Sequence, residues 1–363
     1  MNKTIVSIVS EQPIPNYLLI KEIFNHGDNL LFIASTKTES IIQHIVDTLH
    51  TSAQITKIVL DAGDEERWTI MCQRIENGLS HSNQYAVNLT GGTKYMALAV
   101  QSIFAKYDST FYYIPHPKNV MLSSEKVIPI STRVSVSEFM ELHGHKIKWG
   151  RIIRPFEDSQ QFLHYYTHIL NKTDFEIINK LREYRNKNIS IPDIETKDNE
   201  EKKPAIPGLS DFLYKINFVG EQKDNLTKYE VQYLTGGWFE EYVYHLIQTE
   251  IKPTDIKFGI KLNSTQNDLD VVFTKGNKLF VIECKTGVEK GSMLNQIVYK
   301  SSAIKEYLRG ISAQSYIFAL AKEDPEWTKI ANHMGIPYYG KDHFLNADKQ
   351  QELLNSIIIK SYD

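Results

Sequence analysis

The first 140 residues alternate short β-rich runs with helical runs, and no other feature of the sequence limits the fold as strongly. A helix between two strands returns the chain to the end of the sheet where the previous strand began, so that the next strand runs parallel to it. The alternation therefore predicts an α/β fold built on a parallel sheet. The predicted strands are Thr4–Val9, Asn29–Ala34, Ile55–Leu60, Gln84–Asn88 and Thr110–Ile114. The predicted helices lie near residues 15–25, 38–49, 65–79 and 92–107.

The loops that follow these strands are candidate binding segments, because ligands of open α/β sheets bind beyond the carboxyl ends of the strands. The loop after the fourth predicted strand, Thr90-Gly91-Gly92-Thr93-Lys94, is the most informative. Its two glycines allow the backbone to approach a ligand closely, and the following helix offers free N–H groups and a positive dipole end. Thr90 and Thr93 can cap that helix or bond phosphate oxygens, and Lys94 adds positive charge.

Other interpretations of this loop differ in the ligand they imply. The loop has neither the G-x-G-x-x-G spacing nor the P-loop spacing, so a dinucleotide cofactor and ATP hydrolysis are not favoured. A plain strand-to-helix turn with a glycine pair accounts for the same residues without any ligand.

Residues 267–287 are the second constrained segment, because two short strands flank a two-residue hairpin turn at Gly276-Asn277. Such a turn pairs Asp270 directly with Glu283, with Cβ atoms about 5 Å apart, and places Lys285 on the same face. In the first strand, the predicted faces are Leu269, Val271 and Phe273 on one side and Asp270, Val272 and Thr274 on the other. In the second strand, they are Phe280, Ile282 and Cys284 against Leu279, Val281, Glu283 and Lys285.

Two carboxylates that face each other across a hairpin repel and destabilise it unless a cation lies between them. Mg²⁺ or Mn²⁺ meets this need, because these ions bind carboxylate oxygens and retain water ligands for chemistry. The alternative is an edge hairpin in which Asp270, Glu283 and Lys285 form solvated pairs.

Asp270 followed by Glu283-Cys284-Lys285 resembles the D…(D/E)xK core of the PD-(D/E)xK nuclease superfamily. The resemblance implies that Asp270 and Glu283 hold one or two Mn²⁺ or Mg²⁺ ions, with the Cys284 carbonyl as a further ligand. It also implies that Lys285 orients the attacking water or stabilises charge on the phosphorane. The C-terminal part of the chain would then be a restriction-endonuclease-like α/β domain that hydrolyses phosphodiesters.

The stretch GGWFEEYVY, which begins at residue 236, resembles the helix that precedes the core strands in that superfamily. In such folds this helix often supplies a further glutamate, which implies a catalytic role for Glu240 rather than for Glu241. The alternative is that both are solvated residues that stabilise the helix N-terminus through the helix dipole.

The segment NLTGGTKYMALA resembles the signature of CARF domains, the CRISPR-associated Rossmann folds that sense cyclic oligoadenylates, and SEQPIPNYL is similar to their first loop. In that family the loops at the strand ends face a two-fold axis and hold a ring of phosphates, which implies a homodimer. The ligand contacts implied here are Ser10, Gln12, Thr36, Lys37, Thr90, Gly91, Gly92, Thr93 and Lys94.

A CARF-like sensor joined to this nuclease core resembles the CRISPR ancillary nucleases of type III systems. The resemblance implies an antiviral nuclease that stays silent until cyclic oligoadenylate binds, with cyclic tetra-adenylate as the expected ring. It implies cleavage of DNA, RNA or both, mainly single strands, with nicking of supercoiled duplex reported for the class. Two alternatives are a regulator that binds cyclic oligoadenylate without cutting strands and a ring nuclease that degrades the ring in the sensor pocket.

Length and composition set the outer bounds. A chain of 363 residues is expected to form two or three domains. Because the net charge is −3, any contact with nucleic acid is expected to come from local basic patches or from a bound metal. Cys72 and Cys284 do not make a disulfide framework. The N-terminus lacks a signal peptide and no apolar run is long enough to span a membrane, so we expect a cytoplasmic protein without membrane contact.

The predicted domains are a sensor at residues 1–142, a connecting segment at 143–234 and a nuclease domain at 235–363. The basic run Lys146–Arg154 either packs on nucleic acid or connects the domains, and we favour the connector. Residues 193–207 are charged and flanked by proline, which predicts an exposed loop. A helix over 290–310 would carry Gln296 and Lys300 on one face, toward substrate phosphates or toward solvent.

Overall fold

The computed structural model describes residues 2–79, 84–115, 118–148, 153–187, 206–220, 226–262, 268–286, 313–322 and 325–362. Within these ranges, seven strands form a first sheet and six form a second. Helices cover faces of both sheets, which confirms the predicted α/β class with two sheet-based parts. Among the described helices, none has the length and apolar character needed to cross a bilayer.

The first sheet has the strand order β3-β2-β1-β4-β5-β6-β7. Its strands are β1 Thr4–Ile8, β2 Asn29–Ser35, β3 Ile55–Leu60, β4 Tyr85–Asn88, β5 Ser109–Tyr113, β6 Val120–Ser123 and β7 Val127–Pro129. The first five are parallel and lie within one residue of their predicted ends, so this part of the prediction is confirmed. Strands β6 and β7 continue the sheet in antiparallel pairing and were not predicted.

The strand order reverses between β1 and β4, because β1 pairs with β2 on one side and with β4 on the other. In open α/β sheets such a reversal opens a crevice beyond the carboxyl ends of the two strands, and ligands bind there. The loops after β1 and β4 therefore flank the natural binding crevice of this sheet.

Alternation along each central strand separates two cores, one on each face of the first sheet. One core packs against α3 and α4 and contains Val6, Ile8 and Val87. The other packs against α1, α2 and α5 and contains Ile5, Leu30 and Phe32. The helices of this part are α1 Ile14–Ile23, α2 Glu39–Leu49, α3 Trp68–Asn77, α4 Lys94–Phe104 and α5 Val136–Leu142.

The second sheet has the order β13-β12-β11-β10-β9-β8. Its strands are β8 Ile147–Lys148, β9 Asp255–Leu262, β10 Asp268–Lys275, β11 Lys278–Lys285, β12 Ala313–Ala319 and β13 Tyr338–Tyr339. Strands β8 to β11 pair antiparallel, whereas β11, β12 and β13 pair parallel. The central hairpin β10–β11 is therefore covered on both edges and on both faces, which holds it in a defined position.

The hairpin has the predicted register. Its ladder runs from Lys275↔Lys278 beside the turn to Val271↔Ile282, and the next step in the same register places Asp270 opposite Glu283. Gly276 and Asn277 both have φ of +60°, the left-handed conformation that a tight two-residue hairpin turn requires.

The alternation predicted for β10 is wrong at one residue. Val271 and Phe273 lie in the core on one face, as expected, but Leu269 lies with Val272 in the core on the other face. The interruption is opposite Gly259 of β9, whose φ of +59° is not a strand conformation. A left-handed residue in one strand twists the ladder locally and turns the neighbouring side chains.

The two faces of the second sheet pack against different partners. Phe273, Phe280 and Cys284 face a core shared with the helices between residues 156 and 251 and with the C-terminal helix. Leu269, Val272, Leu279 and Val281 instead join the core that contains Ile130, Val134, Phe139 and Met140 of the first part. One apolar core thus joins the two sheets.

The remaining helices are α6 Phe156–His168, α7 Lys172–Lys187, α8 Leu209–Lys215, α9 Lys228–Gln232, α10 Trp238–Leu246, α11 Pro325–His333, α12 Asp342–Leu345 and α13 Ala347–Tyr362. Two π-helical segments, Tyr233–Gly237 and Ile247–Ile251, flank α10. The residues of 143–234 that are described contribute β8 to the second sheet and helices to its core. The predicted helix with Gln296 and Lys300 and residues 193–205 lie outside the described residues.

Candidate active site and ligand pocket

Asp270, Glu283 and Lys285 meet where the hairpin of β10 and β11 lies farthest from its turn. The Lys285 Nζ is 2.7 Å from Glu283 Oε1 and 3.8 Å from Asp270 Oδ2. Asp270 Oδ2 also accepts a 2.7 Å hydrogen bond from the Cys284 backbone N–H. The structure thus brings together the three charged residues that the motif predicted to act together.

The site combines deep burial with unbalanced charge. The Asp270 and Glu283 residues are only 8% and 3% exposed, and a buried carboxylate is unstable in its charged form. Burial, followed by the charges of Glu283 and Glu240, raises the pKa of Asp270 well above its usual value. Burial opposes the charge on Lys285 too, but Asp270 and Glu283 outweigh it and raise the pKa of Lys285. Lys285 is therefore an ammonium held between carboxylates.

The donor set fits a hard divalent cation. Asp270 and Glu283 offer carboxylate oxygens, and the pKa of Asp270 is raised first by burial and then by the negative charges of Glu283 and Glu240, against the opposing effect of Lys285. Mg²⁺ and Mn²⁺ need few protein ligands because they complete their shells with water and substrate phosphate. Within the described ranges, no three His, Cys, Asp or Glu side chains cluster closely enough to form a complete side-chain cage. An open site with two carboxylates is what these residues can supply.

Glu240 and Glu241 have different surroundings. Glu240, in the first turn of α10, is half-buried, and its charge acts on Asp270 and on Lys285. Glu241 is buried and accepts a 3.0 Å hydrogen bond from the backbone N–H of Arg154. Of the two glutamates, Glu240 is the one in the electrostatic field of the site, whereas Glu241 fixes the chain that enters α6.

A bend before α10 places this helix beside the end of β11. Gly236, with φ of +147°, interrupts helical geometry within the π-helical segment. A Cβ built on Gly236 would lie 3.3 Å from Thr286 Oγ1, so little room exists for a side chain there. Gly236 therefore has a local role, because the lack of a side chain lets the segment before α10 approach Thr286, the residue after Lys285.

Two residues beside the site were not predicted. The Tyr166 hydroxyl of α6 donates a 2.5 Å hydrogen bond to the carbonyl oxygen of Thr286, the residue after Lys285. Arg182 of α7 reaches Thr286 Oγ1 at 3.4 Å. Both helices belong to the middle of the chain, where no motif marks these residues, and only the tertiary fold brings them to the end of β11.

The loops after β1 and β4 are held by a buried pair of asparagines. The Asn88 Nδ2 donates to Asn16 Oδ1 at 2.8 Å, and Asn16 Nδ2 donates to the Ile8 carbonyl at 3.0 Å. Asn88 Oδ1 accepts from the backbone N–H and the hydroxyl of Thr90, at 3.0 and 2.6 Å. This network was not predicted, although Asn16 and Asn88 lie within SEQPIPNYL and NLTGGTKYMALA.

The polar residues of the predicted anion loop have structural roles as well. Thr93 Oγ1 caps α4 by accepting from Met96 N–H at 3.1 Å, one of the two roles considered for it. Thr90 Oγ1 accepts from Ile114 N–H at 2.8 Å and so ties β4 to the end of β5. Gly91 packs so closely on the Ile8 carbonyl that a Cβ would collide with it. Close backbone approach, the property expected of the glycines, is thus used against β1.

A cavity of about 260 Å³ lies at this crevice. Four of the predicted ligand residues line it, namely Ser10, Gln12, Thr90 and Gly91. The other lining residues are Ile14, Pro15, Leu18, Tyr113, Ile114, Lys118, Asn119, Gly276, Asn277 and Lys278. The cavity is therefore walled by the loops of the first sheet on one side and by the turn of the β10–β11 hairpin on the other.

The other predicted ligand residues lie outside the lining of this cavity. Thr36 and Lys37 are exposed after β2, one strand away from the reversal of strand order. Gly92 and Thr93 are exposed at the start of α4. Lys94 instead lines a shallower depression beside α4. Ligand contact stays a prediction for these five positions and for the four that line the cavity.

Comparisons with known proteins match both the part of the chain with the cavity and the part with the Asp270–Glu283–Lys285 cluster. Residues 4–139 match the family model of the Card1 CARF domain, and residues 227–352 match that of the Card1-like endonuclease domain. No curated protein sequence matches the chain.

Several solved structures share the fold across the chain. Protein VC1899 from Vibrio cholerae aligns over 99% of this chain and 98% of its own, with a TM-score of 0.78 and 15% identity. Can2 from Sulfobacillus thermosulfidooxidans, solved in complex with cyclic tetra-adenylate, aligns over 99% of both chains, with a TM-score of 0.72 and 21% identity.

A third structure is described as a type III CRISPR defence DNA nuclease activated by cyclic oligoadenylate. It aligns over 89% of this chain and 46% of its own, with a TM-score of 0.53 and 14% identity. At these identities the structures show a common fold. The two family models establish that this chain joins a CARF domain of the Card1 type to a Card1-like endonuclease domain.

Proposed function

We propose that this protein is a cyclic-oligoadenylate-activated, metal-dependent nuclease that acts in type III CRISPR antiviral defence. The observation that supports it is the presence, in one chain, of a cavity at the strand-order reversal of a CARF domain and a buried Asp270–Glu283–Lys285 cluster in an endonuclease domain. Each site has the chemistry for one half of this activity.

In the proposed mechanism, Asp270 and Glu283 would hold Mn²⁺ or Mg²⁺, with the Cys284 carbonyl as a further ligand. The ion, when bound, supplies Lewis-acid chemistry that makes a nucleophile available from water near neutral pH. Hydrolysis breaks the P–O bond to the leaving oxygen as the new P–O bond forms, and the proton of the attacking water leaves to solvent or to a nearby carboxylate. Glu240, in the first turn of α10, would be a further carboxylate of the site.

Lys285 is the positively charged side chain of the proposed mechanism. Its ammonium lies 2.7 Å from Glu283 and keeps its proton, since the pKa of Lys285 is raised. A positive group fixed before the reaction stabilises the negative charge that builds up on the oxygens of the pentavalent phosphorane without further reorganisation. Lys285 would also orient the attacking water.

The proposed activator is cyclic tetra-adenylate, the ligand of the Can2 complex. A cavity of about 260 Å³ is smaller than the roughly 300–1,000 Å³ of pockets that enclose a whole drug-sized ligand. A ring of four nucleotides would therefore extend beyond one subunit, and a homodimer would supply both halves of its site.

The test uses purified protein, Mn²⁺, cyclic tetra-adenylate and labelled single-stranded DNA and RNA, with supercoiled plasmid to detect nicking. Strand cleavage that requires both the ring and Mn²⁺ supports the proposal. Lys285→Ala should lower the cleavage rate by about 100-fold or more and leave Mn²⁺ binding intact. Lys57→Ala, at an exposed lysine of β3, is the matched control and should cut at the wild-type rate.

Three other results would reject the proposal. Ring consumption without strand cleavage would indicate a ring nuclease, and ring binding without any cleavage would indicate a regulator. Wild-type cleavage by Lys285→Ala would show that the hairpin cluster is structural.

A further inference from the structure

The turn of the catalytic hairpin lines the sensor cavity. This cavity is lined on one side by the turn residues Gly276, Asn277 and Lys278. On the other side it is lined by Ser10, Gln12, Thr90 and Gly91 of the CARF loops. The stem of this hairpin carries Asp270 and Glu283 at its other end. A single pair of strands therefore runs from the candidate activator pocket to the candidate active site.

Asn277 binds the hairpin to the CARF domain. Its Oδ1 accepts from the Val134 backbone N–H at 3.0 Å, and its Nδ2 donates to Asn119 Oδ1 at 2.9 Å and to the Thr132 carbonyl at 3.1 Å. The side chain is buried, with 6% of the residue exposed. Asn119 also lines the cavity, so a direct hydrogen bond joins a cavity residue of the CARF domain to the hairpin turn.

The other side of the turn rests on the C-terminal helix. A Cβ on Gly276 would lie 2.5 Å from the Ser361 carbonyl, and Lys278 Nζ donates to the Lys360 carbonyl at 2.7 Å. The turn is thus held between the CARF domain and the end of α13. The stem pairs in a continuous ladder from Lys275↔Lys278 to Val271↔Ile282, so the turn and the strand that carries Glu283 form one connected element.

We propose that the activator pocket is composite, with one wall supplied by the nuclease domain, and that Asn277 is the positioning residue through which ligand binding acts on the hairpin. This inference rests on the proposed function. A ligand that touches both walls favours one spacing between them, and that preference shifts the equilibrium of the hairpin it touches. The ligand class, a phosphodiester-linked nucleotide, is that of the proposed function, and Lys118, Ser10 and Gln12 supply a cation and polar groups in the lining that fit it.

Two substitutions of Asn277 test the coupling. Asn277→Gly keeps the left-handed φ of +60° and removes all three side-chain hydrogen bonds. Asn277→Asp keeps the acceptor for Val134 N–H but places an acceptor against Asn119 Oδ1 and the Thr132 carbonyl. The matched control is Asn217→Gly, because Asn217 also has positive φ, of +51°, on an exposed turn.

The measurement is the ratio of cleavage rates with and without saturating cyclic tetra-adenylate, so that weaker binding does not mimic lost coupling. Both Asn277 variants should lose about tenfold or more of this ratio, and Asn217→Gly should keep it. Hydrogen exchange of wild type should change in the amides of 268–286 when the ring binds, and this readout needs no variant.

The outcomes separate the two proposals. Wild-type activation ratios in folded Asn277 variants, or an activated wild type whose hairpin amides do not respond to the ring, would overturn this inference alone. A wild type that binds no ring or is not activated by it would overturn the proposed function and this inference with it.

Discussion

Asp270 places function and stability in opposition. Its carboxylate is buried, its pKa is raised by burial and by Glu283 and Glu240, and Lys285 balances only part of the charge. Buried charges of this kind destabilise a fold until a cation neutralises them, and replacing them is often neutral or stabilising. Strain of this sort is common at sites that bind a ligand of opposite charge.

We predict that Asp270→Asn stabilises the metal-free protein by about 1–2 kcal/mol, because the amide oxygen still accepts from Cys284 N–H while the repulsion is removed. The variant should also lose strand cleavage and the rise in melting temperature that Mn²⁺ gives to wild type. Thermal unfolding with EDTA and with Mn²⁺ measures both effects. A variant that is less stable in EDTA and still cuts would contradict the prediction.

His143 should make stability depend on pH. Its ring stacks on Phe139 at 4.7 Å, and burial, with a contribution from the neighbouring His145 and His44, lowers its pKa to about 4 against the opposing effect of its bond to the Phe139 carbonyl. Between pH 6.5 and about 4 the unfolded chain binds a proton that folded His143 does not. Stability present above pH 6.5 is therefore lost as the pH falls through this window, by about 3 kcal/mol in total.

The measurement is the free energy of unfolding by denaturant at a series of pH values across that window. His143→Phe keeps the stacked ring and removes the titration, so its curve should be flatter than that of wild type by up to one proton. Equal slopes for wild type and His143→Phe would contradict the assignment.

At the scale of elements, the β10–β11 hairpin depends on its turn. Gly276 needs positive φ, and a Cβ there would meet the Ser361 carbonyl. We predict that Gly276→Ala costs about 2 kcal/mol or more of folding free energy, from left-handed backbone strain and displacement of α13.

Gly63→Ala is the control for this substitution, because a Cβ on Gly63 has no neighbour within 4 Å. Its effect should stay within about 0.5 kcal/mol. Denaturant unfolding of both variants gives the comparison, and similar losses in the two would show that the turn is not a special position.

At the scale of the whole molecule, the core between the sheets predicts cooperative unfolding. Phe139 of the CARF domain and Leu269 and Val272 of the nuclease domain belong to one buried cluster. Phe139→Ala should therefore cost about 3–5 kcal/mol and lower the protection of amides in both β1 and β11.

Hydrogen exchange followed by mass spectrometry measures these amides separately. Phe175→Ala, at a side chain on α7 that is 41% exposed, is the control and should leave both strands protected. Wild-type exchange in β11 of Phe139→Ala would show that the domains unfold independently.

Local features of the sequence determined a large part of this protein. Strand and helix periodicity depends on neighbouring residues, so β1 to β5 were placed within one residue. The two-residue turn at Gly276-Asn277 has few allowed geometries, and it set the register that aligns Asp270 with Glu283.

Tertiary structure decided what depends on contacts between distant segments. Leu269 lies on the face opposite to the predicted one because of Gly259 in the neighbouring strand. Strand order places the loop with Gln12 at the cavity, whereas Lys37 follows β2, one strand away from the reversal of strand order. The sequence predicts Asn277 as a turn residue, yet the hydrogen bonds of its side-chain amide to Val134, Thr132 and Asn119 attach it to the CARF domain. Periodicity and turn chemistry act over a few residues, whereas the Asn277 contacts join parts of the chain more than a hundred residues apart and the effect of Gly259 on Leu269 needs the pairing of two strands.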